Sequence, residues 1–277
     1  ALMHSLLVLE KRNILYFWTV ILCLLTFTLS VTGTFLVRSG ILNSVHTFAN
    51  DPSRGIYILI FLSLMILASV YFLFLKYKPT NDQINVNSKE TFVLINNWFM
   101  MFYLITVLLG TVYPIFTDAI SNNKISVGPP FYNSVIIPVV VAFLFLMAIG
   151  PQTKWVKNKF TNYKKLLLTI MGAIVLNFAI VYLFNSYSII SNLIIISSLF
   201  LVITSFLDFF KKSEKNLSRI ISHLSFGFLI FFIGLNHNFS IEKDFNLKLG
   251  ETKKIDNYKF VLKDLELNDQ TNYKAIV

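Results

Sequence analysis

Long apolar stretches, separated by short polar or turn-rich loops, recur along this chain up to about residue 237. A membrane-spanning helix needs about 20 mainly apolar residues. Seven stretches meet that requirement, and residues 1–10 have the pattern of the tail of one more helix. The pattern predicts an all-α polytopic membrane protein. Its full spans are expected at about 14–36, 56–76, 92–116, 133–150, 166–185, 188–208 and 220–236.

The loops between these spans differ in their content of Lys and Arg. One set of alternating loops carries most of the positive charge: Lys11, Arg12, Lys76, Lys78, Lys89, Lys154, Lys157, Lys159, Lys164, Lys165, Lys211, Lys212, Lys215 and Arg219. The other set carries only Arg38, Arg54 and Lys124. Cytoplasmic loops are the ones enriched in Lys and Arg. We therefore expect the first set in the cytoplasm and the second on the outer face.

The pattern changes after about residue 238. The segment FNLKLGETKKIDNYKFVLKDLEL alternates apolar and polar residues on either side of a turn that contains glycine. A period of two is typical of short β-strands. We predict two regions, a helical membrane domain over 1–237 and the start of a β-rich extracytoplasmic domain over 238–277.

Composition supports a membrane protein and excludes several other classes. The chain is 55% apolar and only 14% charged, whereas soluble domains carry roughly a quarter charged residues. Its single cysteine, Cys23, excludes an internal disulfide and a cysteine-based metal cluster. The chain has a net charge of +10, but most of its Lys and Arg residues lie in the short loops on one side of the membrane, where they set the orientation of the spans. We therefore reject nucleic acid as a partner and expect the lipid bilayer instead.

Two histidines are predicted inside membrane helices, His4 and His223. His4 lies seven residues before Lys11, and His223 lies four residues after Arg219. At 1.5 Å per residue both would sit roughly 6–10 Å inside the cytoplasmic boundary. Ionisable residues at this depth are usually functional, and two neutral imidazoles on neighbouring helices can ligate a haem iron. Hydrogen bonding to a neighbouring helix is the alternative.

The loop between the first two full spans contains His46, a candidate ligand for a haem on the outer face. Arg38 and Arg54 flank it and suit haem propionates, because guanidinium pairs with carboxylate in a bidentate manner. Asp51 belongs to the same loop. A solvated interfacial histidine is the alternative, and it is the interpretation we favour for His237.

Another outer loop, KISVGPPFYN, combines a rigid bend with two aromatic rings. Pro129 and Pro130 restrict the backbone, and Phe131 and Tyr132 offer flat apolar faces. A platform for haem or peptide and an ordinary interfacial aromatic belt are equally good interpretations of this loop. In the spans only Asp208 comes close to an intramembrane carboxylate, which argues against a proton or cation transporter.

Three segments, TFTLSVTGTFLVRSGILNSVHTFANDPSRG, SKETFVLINNWFMM and VLLGTVYPIFTDAISNNKISVGPPFYN, resemble the CcmF family of cytochrome c haem lyases (also the NrfE and CycK type). The resemblance runs from residue 1 into the C-terminal tail. The chain lacks the family's tryptophan-rich WWD segment and the first of its two outer-face histidines. It also begins without Met, so we expect a piece of a longer protein, shortened or encoded by a split gene.

The resemblance implies roles for three histidines. His4 and His223 match the axial ligands of an intramembrane haem b, the second in the pattern His-Leu-x-x-Gly. His46, in the pattern Ser-Val-His-x-Phe-Ala-x-Asp-Pro-x-Arg-Gly, matches the outer-face ligand of the substrate haem. The resemblance assigns no role to His237.

The family resemblance also implies a function, the covalent attachment of haem to the Cys-x-x-Cys-His thiols of apocytochrome c. The implied partners are a CcmE-type haem chaperone, a CcmH-type protein that presents the apocytochrome, and apocytochrome c itself. The implied location is the bacterial inner membrane, with a mitochondrial inner membrane as the other possibility. A haem or solute permease and a simple b-type electron-transfer subunit are the alternatives.

Overall fold

The structure is a computed structural model of the 277-residue chain. It describes residues 1–39, 51–75, 84–121, 125–156, 163–184, 188–211, 216–240, 246–255, 258–264, 267–269 and 274–276. By its internal contacts the chain divides into two compact units, Ala1–Leu235 and Asn236–Val277.

Eight helices account for most of the described chain. They are α1 (Leu2–Arg12), α2 (Tyr16–Arg38), α3 (Pro52–Leu75), α4 (Lys89–Ser121), α5 (Pro129–Ile149), α6 (Tyr163–Phe184), α7 (Ile189–Phe209) and α8 (Leu217–Phe239). Within the described ranges, the seven helices from α2 to α8 are long and apolar enough to cross a membrane. The predicted all-α polytopic fold, seven full spans preceded by the tail of another, is confirmed.

Two helices extend well beyond their predicted ends. Helix α5 begins at Pro129 rather than near residue 133, because proline is well tolerated in the first turn of a helix, where its missing N–H costs nothing. Helix α4 runs for 33 residues and continues through Pro114. At 1.5 Å per residue it is about 50 Å long, longer than the roughly 30 Å of hydrocarbon that it crosses.

Helix α7 forms the centre of the membrane unit, packed against α5 on one side and α6 on another. It is also the most deeply buried span of the described chain. The core cluster combines apolar residues of these three helices: Leu144, Ala148, Ala173, Ile195, Leu199, Phe200 and Leu201. Buried hydroxyls on α7 bond to carbonyls of their own helix, as Ser198 Oγ does to the Ile195 carbonyl at 2.9 Å. Their polarity is therefore satisfied without a partner helix.

Helix α8 approaches α7 through two glycines. A Cβ atom added at Gly227 would lie 2.7 Å from Val202 Cγ2, and one at Gly234 would lie 2.9 Å from Ile194 Cγ2. Small residues let helix backbones approach closely, and in a lipid environment such packing is a main source of helix association. The contact fixes the position of α8, and hence of His223, against the core.

Helices α2 and α3 lie outside the core formed by α5, α6 and α7, and little of either span is buried. They pack on each other, and their remaining faces carry large exposed apolar side chains such as Phe61, Leu64 and Phe72. In a membrane protein such faces are expected to contact lipid or another apolar protein surface.

The second unit contains two antiparallel hairpins. Strands β1 (Thr252–Ile255) and β2 (Tyr258–Val261) form one, and β3 (Leu267–Asp269) and β4 (Lys274–Ile276) form the other. Gly250 adopts a positive φ of 78° in a tight turn just before β1. The predicted strands are present, but those of the first hairpin both follow Gly250, whereas the sequence pattern placed one on each side of it.

Replacing Gly227 with alanine should destabilise the membrane unit by about 1–3 kcal/mol, because the added methyl group meets a stiff valine on α7. Thermal unfolding in detergent, followed by circular dichroism, measures the effect. Gly33→Ala is the matched control, since nothing lies within 4 Å of a Cβ at that exposed position of α2. Equal melting temperatures for the two variants would contradict the packing described here.

Candidate functional site

One end of the membrane unit carries a network of charged side chains, which we call the basic end. Its half-buried cations are Arg12, Lys89, Lys165, Lys211 and Arg219, and its buried carboxylates are Glu90 and Asp208, whereas Glu10 on α1 is exposed. Three other cations described at this end, Lys11, Lys154 and Lys164, are exposed. The half-buried members bring together the ends of α1, α4, α6, α7 and α8.

Asp208, near the C-terminus of α7, is the centre of this network and is only 3% exposed. Its carboxylate pairs with Lys211 at 2.8 Å, with Arg219 at 3.2 Å and with Lys165 at 3.4 Å. It also accepts hydrogen bonds from the buried Gln152 amide at 3.0 and 3.1 Å. A buried carboxylate is tolerated when it is paired and hydrogen-bonded. Asp208 therefore ties α6, α8 and the turn after α5 to the end of α7.

Glu90 connects the ends of the N-terminal helices, as Asp208 connects those of the C-terminal helices. It is 2% exposed, and it pairs with Arg12 Nε at 2.9 Å. Its carboxylate also accepts the backbone N–H of Val156 at 3.2 and 3.3 Å. The end of α1, the start of α4 and the segment after α5 meet at this residue.

Lys89 lies between the two carboxylates. Its ammonium group is 5.3 Å from the centroid of the Trp155 ring, a cation–π contact. It lies within electrostatic range of Lys211, Arg219, Glu90 and Asp208, yet within the described chain it forms no ion pair of its own. The two carboxylate centres are thus parts of one charged surface.

His4 and His223 both lie at this end of the membrane unit. His4 is in the first turn of α1, and His223 is one helical turn after Arg219 on α8. The two imidazoles lie within electrostatic range of each other. Among the described residues neither ring forms a hydrogen bond. The two histidines that the sequence singled out therefore lie in the same part of the membrane unit, and His4 is exposed while His223 is half-buried.

The residue next to His4 holds α1 in place. Ser5 is fully buried against Asn97 of α4, also fully buried. With the Asn97 amide turned to suit its neighbours, its oxygen accepts from Ser5 Oγ at 2.6 Å and from Trp18 Nε1 at 3.1 Å. Ser5 is therefore bonded to Asn97 and not to the His4 ring. On α8 the Ser222 hydroxyl, next to His223, donates to the Ser218 carbonyl at 2.7 Å.

Aromatic rings cluster one turn deeper than His223. Phe226 of α8 packs edge-on against Phe143 of α5 at 6.1 Å, and Phe143 also contacts Phe99 and Tyr103 of α4. The Tyr103 hydroxyl is buried without a hydrogen-bond partner. Apolar rings, an unpaired hydroxyl and two available imidazoles form a surrounding that fits a haem. No described group of three or more His, Cys, Asp or Glu side chains is arranged to hold a bare metal ion.

At the other end of α2 and α3, the structure brings Arg38, Asp51 and Arg54 together. The Asp51 backbone N–H donates to the Arg38 carbonyl at 3.3 Å, and Arg54 Nε pairs with the Asp51 carboxylate at 3.1 Å. Asp51 Oδ1 also accepts the backbone N–H of Arg54 at 3.2 Å, near the start of α3. A shallow recess of about 430 Å³ lies beside them, lined by Thr34, Arg38, Arg54, Tyr57 and Ile58.

The remaining predicted site residues are placed as follows. His46 lies outside the described residues. Pro129 and Pro130 are exposed in the first turn of α5, and Phe131 is exposed beside Tyr132, with ring centroids 5.2 Å apart. The Tyr132 hydroxyl lies against Gly110 of α4. Tyr132 is therefore partly committed to helix packing, while Phe131 presents a free ring.

Sequence reasoning missed the charged centres, Asp208 and Glu90. It named Asp208 only as the one near-intramembrane carboxylate, in an argument against a transporter, and it assigned no role to Glu90. The available signal was that each carboxylate lies at the end of an apolar span in the loops richest in Lys and Arg. A lone acid in such a place is the natural counter-ion of several cations.

Comparison with known proteins places the chain in a class. It is 33% identical to the cytochrome c-type biogenesis protein CcmF of Pseudomonas aeruginosa and 31% identical to that of Escherichia coli, in each case over 99% of this chain and 44% of the relative. It is 41% identical to CycK of Bradyrhizobium diazoefficiens over 61% of this chain and 26% of that protein. No family model matches.

A solved structure titled cytochrome c heme lyase CcmF shares the fold. It matches with a TM-score of 0.66 and 18% identity, over 97% of this chain and 42% of that one. Fold and sequence together define a polytopic membrane protein of cytochrome c-type biogenesis. The chain belongs to the CcmF-type family and corresponds to about the C-terminal half of its members. It spans less than half the length of the curated relatives named above.

Replacing Asp208 with asparagine should destabilise the membrane unit by about 3 kcal/mol, because three half-buried cations lose their common counter-ion. Asp51→Asn is the matched control. Its ion pair with Arg54 is exposed and worth less than about 1 kcal/mol, and asparagine keeps the capping hydrogen bond. Thermal unfolding in detergent compares the two. A similar loss of stability in both variants would show that Asp208 does not have the central role described here.

Proposed function

We propose that this chain is part of a haem lyase of cytochrome c maturation, and that it provides an intramembrane haem b site and half of an outer haem site. The observation that carries the proposal is that the His4 and His223 imidazoles lie within electrostatic range of each other in a CcmF-type fold. Family membership supports the general function. The full activity belongs to the longer protein, of which the chain spans less than half.

The intramembrane site would be held by one imidazole from α1 and one from α8. The Asn97 contacts fix α1 beside α4, and the Asp208 network fixes α8 beside α7, so the two ligands are held by independent anchors. When bound, a haem b at this site would supply one-electron transfer across part of the membrane. On the deeper side of His223 the site would be bordered by the phenylalanine rings of Phe226, Phe143 and Phe99, which are apolar.

The outer site would bind the substrate haem through His46. Arg38 and Arg54 border the recess at the ends of α2 and α3, and they suit propionate carboxylates. Phe131 offers a flat apolar face at the start of α5. The role of such a site would be to hold the haem vinyl groups next to the thiols of a Cys-x-x-Cys-His segment. Each thiol would add across one vinyl group, which forms a carbon–sulfur bond and a carbon–hydrogen bond.

The lyase function implies three protein partners: a CcmE-type haem chaperone, a CcmH-type protein that presents the apocytochrome, and apocytochrome c. It also implies an orientation in the bacterial inner membrane, or in a mitochondrial inner membrane. The basic end would face the cytoplasm, and Arg38 and Arg54 would face the opposite side. The Lys and Arg content of the loops supports this orientation.

Absorption spectra of the purified full-length protein test the intramembrane site. The oxidised and reduced wild type should show a low-spin b-type spectrum, and either His4→Ala or His223→Ala should abolish it, because each removes one of two axial ligands. His237→Ala, a histidine in the last turn of α8 with no assigned role, should leave the spectrum intact. A wild type without haem, or alanine variants that both retain it unchanged, would refute the assignment.

Apocytochrome binding separates the lyase from the two alternatives. In the full-length protein, His46→Ala and Arg38→Gln should weaken retention of an immobilised Cys-x-x-Cys-His apocytochrome loaded with haem, while reduction of the intramembrane haem continues. His237→Ala again serves as the control. A permease or a b-type electron-transfer subunit has no use for the outer residues, so unchanged retention in both variants would contradict the lyase proposal.

A further inference from the structure

Among the described residues, the basic end holds five half-buried cations and only two buried carboxylates, Glu90 and Asp208. Four of the cations, Arg12, Lys165, Lys211 and Arg219, pair with these carboxylates, and Lys89 pairs with neither. A solvated loop rich in Lys and Arg needs no counter-ion, but packed cations of like charge repel one another and have lost part of their hydration. A further anion bound at the basic end would therefore be electrostatically favourable.

Lys89 is the cation of the basic end that has no carboxylate partner among the described residues. Lys211 and Arg219 lie within its electrostatic range, and both are already paired with Asp208. Lys89 itself has a ring contact and, among the described residues, no carboxylate within ion-pair distance. It also begins α4, and α8 begins two residues before Arg219. The N-termini of both helices add partial positive charge at the same place.

The position of His223 indicates which anion this surface receives. Arg219 and His223 are four residues apart on α8, so their side chains lie on the same face, with Arg219 nearer the membrane surface. A haem ligated at His223 carries both propionates on one edge. Because carboxylates are costly in hydrocarbon, that edge would face the membrane surface, where the cations lie.

We infer that Lys89 and Arg219 bind the propionates of the intramembrane haem and thereby position it and set its reduction potential. This inference rests on the proposed function and deepens it. An acidic phospholipid headgroup offers the same anionic oxygens, but a headgroup gives no reason for Arg219 to lie one turn from a haem ligand. We therefore assign the surface to the propionates.

The test is the midpoint potential of the haem in the purified full-length protein, at constant pH, for Lys89→Gln, Arg219→Gln and Lys165→Gln. A cation beside a propionate offsets a negative charge that stabilises ferric iron. Lys89→Gln should keep the low-spin spectrum and shift to a more negative potential. Arg219→Gln should shift the potential in the same direction, and because Arg219 also anchors α8 to Asp208 it should lower the haem content as well. Lys165→Gln is the matched control, because it also removes a cation from Asp208 and should leave the potential unchanged. Lys89→Arg should restore the wild-type value.

A second measurement covers the case in which a variant loses its haem. The apoprotein is titrated with haem and with haem dimethyl ester, in which both propionates are uncharged esters. The wild-type apoprotein should bind haem more tightly than the ester, whereas the Lys89→Gln apoprotein should bind the two with equal affinity. Unchanged potentials in all three variants would overturn the inference. So would a loss of copurified acidic phospholipid from Lys89→Gln with the potential unchanged. If the wild type holds no haem, or keeps it without His4 and His223, the proposed function itself fails.

Discussion

The membrane unit depends on one carboxylate, that of Asp208. A charged group near the hydrocarbon boundary is stable only if its neighbours replace the water that it has lost. Asp208 meets this condition through Lys165, Lys211, Arg219 and the Gln152 amide. These groups come from α6, α8 and the segments that border α5 and α7, so one requirement for charge compensation fixes where four helices end. The helices then continue into the membrane with their relative depths already set.

Depth and packing together account for the arrangement of the two histidines. Arg219 is held at the membrane surface by Asp208, which places His223 one turn deeper on the same helix face. Arg12 is held by Glu90, which places His4 two turns deeper on α1. The close approach of α8 to α7 at Gly227 and the buried Ser5–Asn97 contact then fix the lateral positions. Two unrelated sets of contacts thus hold the two helices that carry the imidazoles, which lie within electrostatic range of each other.

Much of this fold was predictable from the sequence, because membranes impose simple rules. Apolar stretches of sufficient length predicted seven spans and the short first helix. The depths expected for His4 and His223 came from counting residues to Lys11 and Arg219, and they stay a prediction. Packing was not predictable in the same way. Nothing in the sequence showed that Ser5 bonds to Asn97 rather than serving His4, that α5 begins at Pro129, or that Asp208 collects three cations. Each depends on a neighbour distant in sequence.

The central claim is that the basic-end network holds α1 and α8 so that His4 and His223 face each other. Cross-linking in membranes tests it most directly. In a Cys23→Ser background, cysteines replace His4 and His223, and a bis-maleimide of haem-like span is added. Mass spectrometry should find the cross-link between positions 4 and 223, weakened by Asp208→Asn, and none between positions 4 and 237. A cross-link that is absent at 4 and 223, or that Asp208→Asn leaves unchanged, would contradict the claim.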